Sequence, residues 1–494
     1  MKNIRQLVAK NAFANLIRGG ATAVVAIALP HFLTRSLSPE QFAGWSLILQ
    51  IAAYASFLDF GLQTAVARFM AQAIELKQEE RQQQLMSTTL ILLSIAALIA
   101  FTVISIVIGE IPHLFHGVSR SLLPELRLAT FVLTVSTCLQ LPLSAFTGVL
   151  IGMHRNEIPA MAIGISRVAG AVAAIIAARY TQSLTVLTLC VGVPNVLGGL
   201  VQMVAVRRLI RTGRRHVQRI CRTIGKELLH YCTGLMIWSF ATLLVTGLDV
   251  TIVGYFRFSA VGYYSVAAML ITFVAGSSGS MLNALMTPVA ALHALRETDR
   301  IRKIVFSATR LTMLLNALLT MTVFLWGAPL LRLWVGPVYA SDALPILKIL
   351  VVAQTIRLTV SPYAVMLLSV GEQGKGAGAA ICEALLNLFA SIGGAILLGP
   401  IGVAWGTLIG AIGGLLWTLI RVMPSVRDIQ IGQAPFIKNA VLPGLIPCIP
   451  FVIFWLALGH LSPMAYGTLL VICIGAALLL GIRYATFYAR EHTI

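Results

Sequence analysis

Apolar stretches of about twenty residues recur along almost the whole sequence, and they limit what this chain can fold into. A helix rises about 1.5 Å per residue, so about 20 apolar residues cross the roughly 30 Å hydrocarbon layer of a bilayer. A helix also satisfies its own backbone hydrogen bonds where no water is present. We therefore predict an all-α polytopic membrane protein rather than a set of soluble domains.

We predict about fourteen transmembrane helices from these stretches. The composition agrees, because the chain is 58% hydrophobic and only 11% charged, whereas about a quarter of the residues of a soluble protein are charged. The predicted spans are 12–34, 42–70, 86–109, 126–151, 159–178, 185–206, 229–255, 262–292, 304–331, 343–370, 377–397, 402–422, 439–459 and 465–486.

The net charge of +19 is distributed unevenly between the two sides of the predicted membrane. Most basic residues, such as Arg5, Arg81 and Arg300, lie in loops on the side of the N-terminus, and few, such as Arg35 and Arg257, lie on the other. Cytoplasmic loops carry the excess of Lys and Arg. We therefore expect both termini in the cytoplasm, and we attribute the positive charge to topology and lipid headgroups rather than to nucleic acid.

The longest hydrophilic connection, 207–228, divides the predicted spans into six before it and eight after it. Its apolar residues fall near one helical face, which is typical of a basic amphipathic helix lying on membrane lipids. The connections 37–46 and 258–265 have similar sequences, which indicates a repeat. We predict domains at 1–206 and 229–423, two six-helix bundles related by a pseudo-twofold axis, with an additional helix pair in 424–494.

A few charged residues fall inside the predicted spans, where charge is costly and usually faces a cavity or a partner. The basic residues that lie well inside the membrane are Arg18, Arg167, Arg310 and Arg357, and their acidic counterparts are Asp59, Asp249 and Glu383. One interpretation is that they form ion pairs between helices, for example an arginine with Asp59 or Glu383. The other is a cationic central cavity that binds an anionic headgroup such as pyrophosphate, with the three acids as candidates for ion coupling.

Glycines are frequent in some of the later spans. Small residues let helices approach closely in a membrane. We therefore predict close helix packing at Gly276, Gly279, Gly406, Gly410 and Gly414.

The sequence contains little that indicates an enzyme. The predicted external loops are too short to hold catalytic groups over a lipid-linked sugar, and no H-E-x-x-H or Walker motif is present. We predict no catalytic residues, no metal site and no cofactor. A membrane polysaccharide polymerase or ligase is the enzyme class that stays open.

Several segments in sequence order resemble bacterial oligosaccharide flippases. They are Leu37–Ser46, Tyr54–Leu62, Ala65–Phe69, Gly148–Arg155, Glu383–Leu388 and Pro400–Thr407. These flippases form the polysaccharide-transporter branch of the superfamily that also contains multidrug exporters and the lipid II flippase. The resemblance implies two six-helix bundles around a central cavity, which is commonly basic in such flippases.

The implied function is transport of undecaprenyl-pyrophosphate-linked oligosaccharide across the bacterial inner membrane for O-antigen, capsule or exopolysaccharide. The implied partners are this lipid-linked substrate, the polysaccharide polymerase and the chain-length machinery, and a proton or sodium gradient is the implied energy source. A lipid II flippase and a multidrug exporter are the alternatives within the superfamily. The excess of arginine disfavours the multidrug exporter, which would need acids for cationic drugs.

Overall fold

The structure, a computed structural model, describes residues 24–115, 117–209, 222–426, 428–446 and 449. Arg18 and the predicted span 465–486 lie outside these residues, as do most of the linker 207–228 and of the predicted span 439–459.

All regular secondary structure in these residues is helical. The first helices are α1 (Val24–Ser36), α2 (Pro39–Phe57), α3 (Leu62–Glu75), α4 (Glu79–Leu114), α5 (Leu123–Gly152), α6 (Glu157–Tyr180), α7 (Leu184–Leu209), α8 (Arg222–Thr242) and α9 (Asp249–Phe256). They are followed by α10 (Val261–Asn283), α11 (Met286–Ala294), α12 (Thr298–Val335), α13 (Pro337–Val370), α14 (Gln373–Leu398), α15 (Pro400–Trp417), α16 (Met423–Ser425), α17 (Gln433–Phe436) and α18 (Leu442–Leu445).

Ten helical segments of the described chain are long and apolar enough to cross a membrane. They correspond to the third through twelfth predicted spans. The apolar face of α4 illustrates why they require lipid, because Leu98, Val103 and Ile106 are each more than half exposed. The prediction of an all-α, multi-pass membrane protein is therefore confirmed at this level.

The second predicted span, 42–70, is wrong as a single helix. α2 ends at Phe57 and α3 begins at Leu62, and the chain between them passes through left-handed conformations at Phe60 (φ 51°) and Gly61 (φ 77°). Such angles end a right-handed helix and are easiest for glycine. The backbone N–H of Gly61 donates to the carboxylate of Asp59, which fixes the turn. The predicted span 262–292 is also interrupted, between α10 and α11.

The described chain forms two compact units. The first contains the residues up to Phe273 together with Trp334–Tyr339 and Ser391–Val403. α5 lies at its centre, packed against α2, α3, α4 and α7, while α6 packs on α7. Close approach depends on small residues, since a Cβ added at Gly152 of α5 would lie 2.7 Å from the carbonyl oxygen of Ala67 in α3.

The second unit contains Val274–Leu333, Ala340–Ala390 and the described residues from Ala404 onward. Its main core joins α11, α12, α13 and the segment after α15. The core is represented by Val289, Phe306, Tyr363, Met423 and Phe436.

The predicted packing role of the glycines holds for only some of them. A Cβ at Gly410 would lie 2.8 Å from Cβ of Asn387, and one at Gly414 would lie 2.9 Å from Oε2 of Glu383. By contrast, a Cβ at Gly276 or Gly279 would meet no atom of the described residues within 4 Å. The prediction is therefore right for Gly410 and Gly414 and wrong for Gly276 and Gly279, against which no other described segment packs.

Three short π-helices interrupt the regular helices of the described chain, at Leu243–Gly247, Thr418–Val422 and Ile437–Val441. A π turn contains one extra residue and disturbs the hydrogen-bond ladder, which leaves carbonyl groups available to side chains. The carbonyl of Gly247 accepts from Nε2 of Gln50 at 2.7 Å and from the hydroxyl of Tyr54 at 2.8 Å. Side chains of α2 thereby hold the π-helix that precedes α9.

Candidate functional site

An ion pair lies inside the second unit, between two helices that are apolar and long enough to span a membrane. Nε of Arg357 in α13 donates to Oε1 of Glu383 in α14 over 2.5 Å. The two side chains are only 20% and 16% exposed. The structure thus brings together one predicted cation and one predicted acid, in the helix-to-helix pairing that was one of the two interpretations of these charges.

Packing against α15 positions both members of this pair. Ala353 of α13, which lies one turn before Arg357, packs against Leu408 and Ala411 of α15. α14 approaches α15 at Gly414, whose missing side chain leaves room for the carboxylate of Glu383. The glycine therefore allows the acid to lie flat against α15 and within reach of the guanidinium.

The guanidinium of Arg357 has more donors than its neighbours accept. Nη1 donates to Oε1 of Gln354 at 3.1 Å, while Nη2 is buried and has no hydrogen-bond acceptor among the described residues. A buried donor without an acceptor is costly. Gln354 was not among the predicted site residues. The sequence does contain a signal for it, because it lies three residues before Arg357 in an apolar span, and residues three apart are neighbours on a helix.

Arg310 lies in α12 of the same unit and contacts the backbone of the π-helix Ile437–Val441. Its Nε donates to the carbonyl oxygen of Asn439. A Cβ added at Gly444 would lie 2.8 Å from the carbonyl oxygen of Arg310, so the two segments are closely packed there. The arginine consequently has a structural contact as well as its charge.

Arg167 lies in α6 of the first unit, on the face that otherwise packs. Ala160, Ala171 and Ala174 are buried and are seven, four and seven residues away, which places them on the same side of the helix. Arg167 is nevertheless exposed. The exposed apolar row that includes Ile165 and Ile176 lies on a different side of α6. Arg167 is therefore an exposed charge on the side of α6 that carries the buried alanines, not on the side that carries the exposed isoleucines.

The other two predicted acids have local partners in the first unit. Asp59 accepts from the backbone of Gly61 in the turn between α2 and α3. Asp249 is the first residue of α9, is 7% exposed, and accepts from the hydroxyl of Tyr264 at 3.1 Å. The three predicted acids are thus in three different environments: a turn, a tyrosine contact and an ion pair.

The site residues are of two chemical kinds, arginines that present hydrogen-bond donors and carboxylates that accept hydrogen bonds. The described residues contain no group of three or more His, Cys, Asp or Glu side chains that could hold a metal ion. Arginines beside apolar helices suit phosphate or carboxylate groups, because the guanidinium presents its donors as a planar fork.

A protein-family model described as "Polysaccharide biosynthesis protein" matches residues 8–292, which is more than half of the 494 residues. Among curated proteins, none matches the sequence.

Several solved structures share the fold. A lipid II flippase, MurJ, in an inward closed conformation has a TM-score of 0.73 at 14% identity, covering 98% of this chain and 99% of its own. An inward-facing multidrug resistance MATE family transporter of the MOP superfamily has 0.63 at 18% identity, covering 81% and 94%. A MOP superfamily transporter from Pyrococcus furiosus, whose binding pocket has reverse polarity, has 0.56 at 16% identity, covering 84% and 95%. The fold is therefore that of the MOP superfamily transporters.

Proposed function

The chain belongs to the polysaccharide biosynthesis protein family, and from that premise we propose that it is a flippase for undecaprenyl-pyrophosphate-linked oligosaccharide. It moves repeat units across the bacterial inner membrane by alternating access, for O-antigen, capsule or exopolysaccharide. The fold shared with transporters supports a carrier rather than an enzyme.

We propose for the whole chain fourteen membrane-spanning helices with both termini in the cytoplasm. The bundles 1–206 and 229–423 have pseudo-twofold symmetry and enclose a central cavity, the basic linker 207–228 lies on the cytoplasmic membrane surface, and 424–494 adds a helix pair. The likeness to MurJ over 98% of the chain supports this architecture.

The observation that carries the function is the unsatisfied guanidinium nitrogen of Arg357. Its Nη2 is buried and has no acceptor in the described chain, whereas Nε donates to Glu383 and Nη1 donates to Gln354. An incoming pyrophosphate oxygen would satisfy this donor and gain a charge-assisted hydrogen bond. We assign Arg357 as the central anion-binding residue, with Arg18, Arg167 and Arg310 as the other cations of the cavity.

Energy for net transport comes, in this proposal, from a proton or sodium gradient. Of the candidate acids, Asp249 is the strongest, because it is buried in a membrane-spanning segment, where it accepts from the hydroxyl of Tyr264. Glu383 already neutralises Arg357, and Asp59 fixes a turn. Asp249 can therefore exchange a cation without breaking an ion pair with Arg357.

A lipid II flippase is the second candidate, because MurJ matches this chain over nearly its full length. Both substrates carry an undecaprenyl pyrophosphate, so the arginines do not separate them. Rescue of a strain depleted of its lipid II flippase separates them, since growth would return only if this chain transports lipid II.

Gene deletion tests the proposed function. Loss of the protein should abolish one surface glycan while lipid-linked repeat units accumulate inside the cell, where the polymerase and chain-length machinery cannot use them. An unchanged set of surface glycans would overturn the proposal.

Complementation tests the arginine. Arg357→Gln combined with Glu383→Gln, which removes the cation without leaving an unpaired carboxylate, should fail to restore the glycan at normal protein level. Arg300→Gln is the matched control, because this arginine is 70% exposed, and it should restore the glycan. Equal restoration by the two variants would remove Arg357 from the site.

A further inference from the structure

Helix α3 has one apolar face and one polar face, although most of it falls within the predicted span 42–70. Its apolar face is buried in the core of the first unit, where Leu62, Val66 and Met70 pack with residues of α5. The residues that α3 exposes are Thr64, Arg68, Gln72 and Glu75. Residues three or four apart lie one above the other on a helix, so these four form a single polar row.

The position of this row is fixed by the backbone of α3. A Cβ at Gly148 of α5 would lie 2.6 Å from the carbonyl oxygen of Gln63, which shows direct contact between helix and backbone. The turn at Gly61 sets the direction of α3 independently of α2. The polar row therefore belongs to a helix that is closely packed in the first unit.

Arg68 does not extend freely toward solvent. Its guanidinium carbon lies 5.0 Å from the ring centroid of Tyr231 in α8, and the same ring meets Phe69 in an edge contact at 5.7 Å. A cation above an aromatic face is held by the ring quadrupole. Tyr231 therefore restrains the guanidinium of this row residue.

The charge of the row argues against a surface for anionic lipid. Anionic headgroups attract clusters of Lys and Arg, whereas this face carries one arginine and one glutamate, and its formal charges cancel. The other two residues, Thr64 and Gln72, are neutral. A headgroup would gain little from them and would be repelled by Glu75.

The hydrogen-bonding groups of the row determine which kind of ligand it can bind. The threonine hydroxyl both donates and accepts, the glutamine amide offers two donors and an acceptor, and the glutamate only accepts. Neighbouring sugar hydroxyls also donate and accept, so they match this mixture. We propose that the face of Thr64, Arg68, Gln72 and Glu75 binds the glycan of the lipid-linked oligosaccharide. This inference rests on the proposed function and adds the residues that recognise the sugar.

Binding of two lipids to the full-length protein in detergent tests the glycan face. The first probe is the lipid-linked oligosaccharide extracted from the deletion strain, and the second is undecaprenyl pyrophosphate, which has no sugar. The variant Thr64→Val with Gln72→Leu should bind the first probe about tenfold more weakly and the second unchanged. Gln78→Leu, at an exposed glutamine beyond the end of α3, is the matched control and should bind both probes normally.

Each other outcome has a defined meaning. Equal weakening for both probes would show a phosphate or lipid surface and overturn the inference, as would unchanged binding of both. Undecaprenyl pyrophosphate also reports whether the variant is folded. A deletion strain that accumulates no lipid-linked oligosaccharide would overturn the proposed function, and this inference with it, before any variant is made.

Discussion

Arg357 and Glu383 are joined by a hydrogen bond of 2.5 Å between helices α13 and α14, in a part of the chain where few other charges occur. Either residue alone would be destabilising in an apolar environment, because burying an uncompensated charge costs free energy. The pair is nearly neutral as a whole, but Nη2 of the guanidinium has no acceptor among the residues that the structure describes. It therefore combines a structural contact with the capacity to accept an anion.

Removal of one partner should destabilise the protein. Glu383→Ala or Arg357→Ala should lower the free energy of unfolding by about 3 kcal/mol, because each leaves an unpaired buried charge. The exchanged pair Arg357→Glu with Glu383→Arg should recover much of the thermal stability and still fail to export glycan, since the cation is displaced. Thermal unfolding in detergent and surface glycan analysis measure the two effects.

The pair of Lys375 and Glu372, whose side chains are 37% and 30% exposed and thus more accessible than those of Arg357 and Glu383, is the matched control for that experiment. Its loss should cost less than about 1 kcal/mol, as for other solvent-accessible pairs. Export by the exchanged variant at the wild-type level would show that the pair is structural only.

Glycine substitutions should separate packed from open positions. Gly410→Ala should destabilise the protein by about 1–3 kcal/mol, because the new methyl would contact both Asn387 and the backbone oxygen of Glu383. Gly276→Ala should be neutral or slightly stabilising, since it meets nothing and favours the helix. Similar unfolding temperatures for the two variants would contradict the close approach of α14 and α15.

Asp249→Asn tests ion coupling. The amide oxygen can still accept from Tyr264, so folding and protein level should be retained. Export should nevertheless fall to a small fraction of its normal rate, because the group can no longer exchange a proton or bind a cation by charge. Transport into vesicles with and without an imposed gradient measures this. A variant that still responds fully to the gradient would exclude Asp249.

The carbonyl of Gly247 should show non-additive behaviour. Tyr54→Phe should cost about 1 kcal/mol, because Gln50 still donates to the same oxygen. Adding Gln50→Met should cost more than the two single changes together, since the carbonyl then lacks both side-chain donors. Tyr180→Phe, at a residue that is 86% exposed, is the control and should leave stability unchanged. Strict additivity would mean that the two donors act independently.

Hydropathy was sufficient to locate the ten long helices, because lipid requires the same apolar length from each of them. It could not locate the break after Phe57, which depends on a left-handed conformation at Phe60, a residue that rarely adopts one. The sequence also placed Arg357 and Glu383 inside spans, but the partner of each depends on how α13 and α14 pack. Gln354 and Tyr231 acquire their roles only from that packing.

Because of the π-helix Leu243–Gly247, the direction of the side chains that follow depends on the exact number of residues in this segment. A π turn holds one residue more than an α turn, so deleting a single residue there would produce a regular helix. The rest of the same segment, including α9, would then rotate by about 100° and shift by about 1.5 Å relative to the helices packed against it. Asp249 follows almost directly, and its carboxylate would point away from Tyr264. The direction of the Asp249 carboxylate thus depends on the number of residues that precede it as well as on the side chains that contact it.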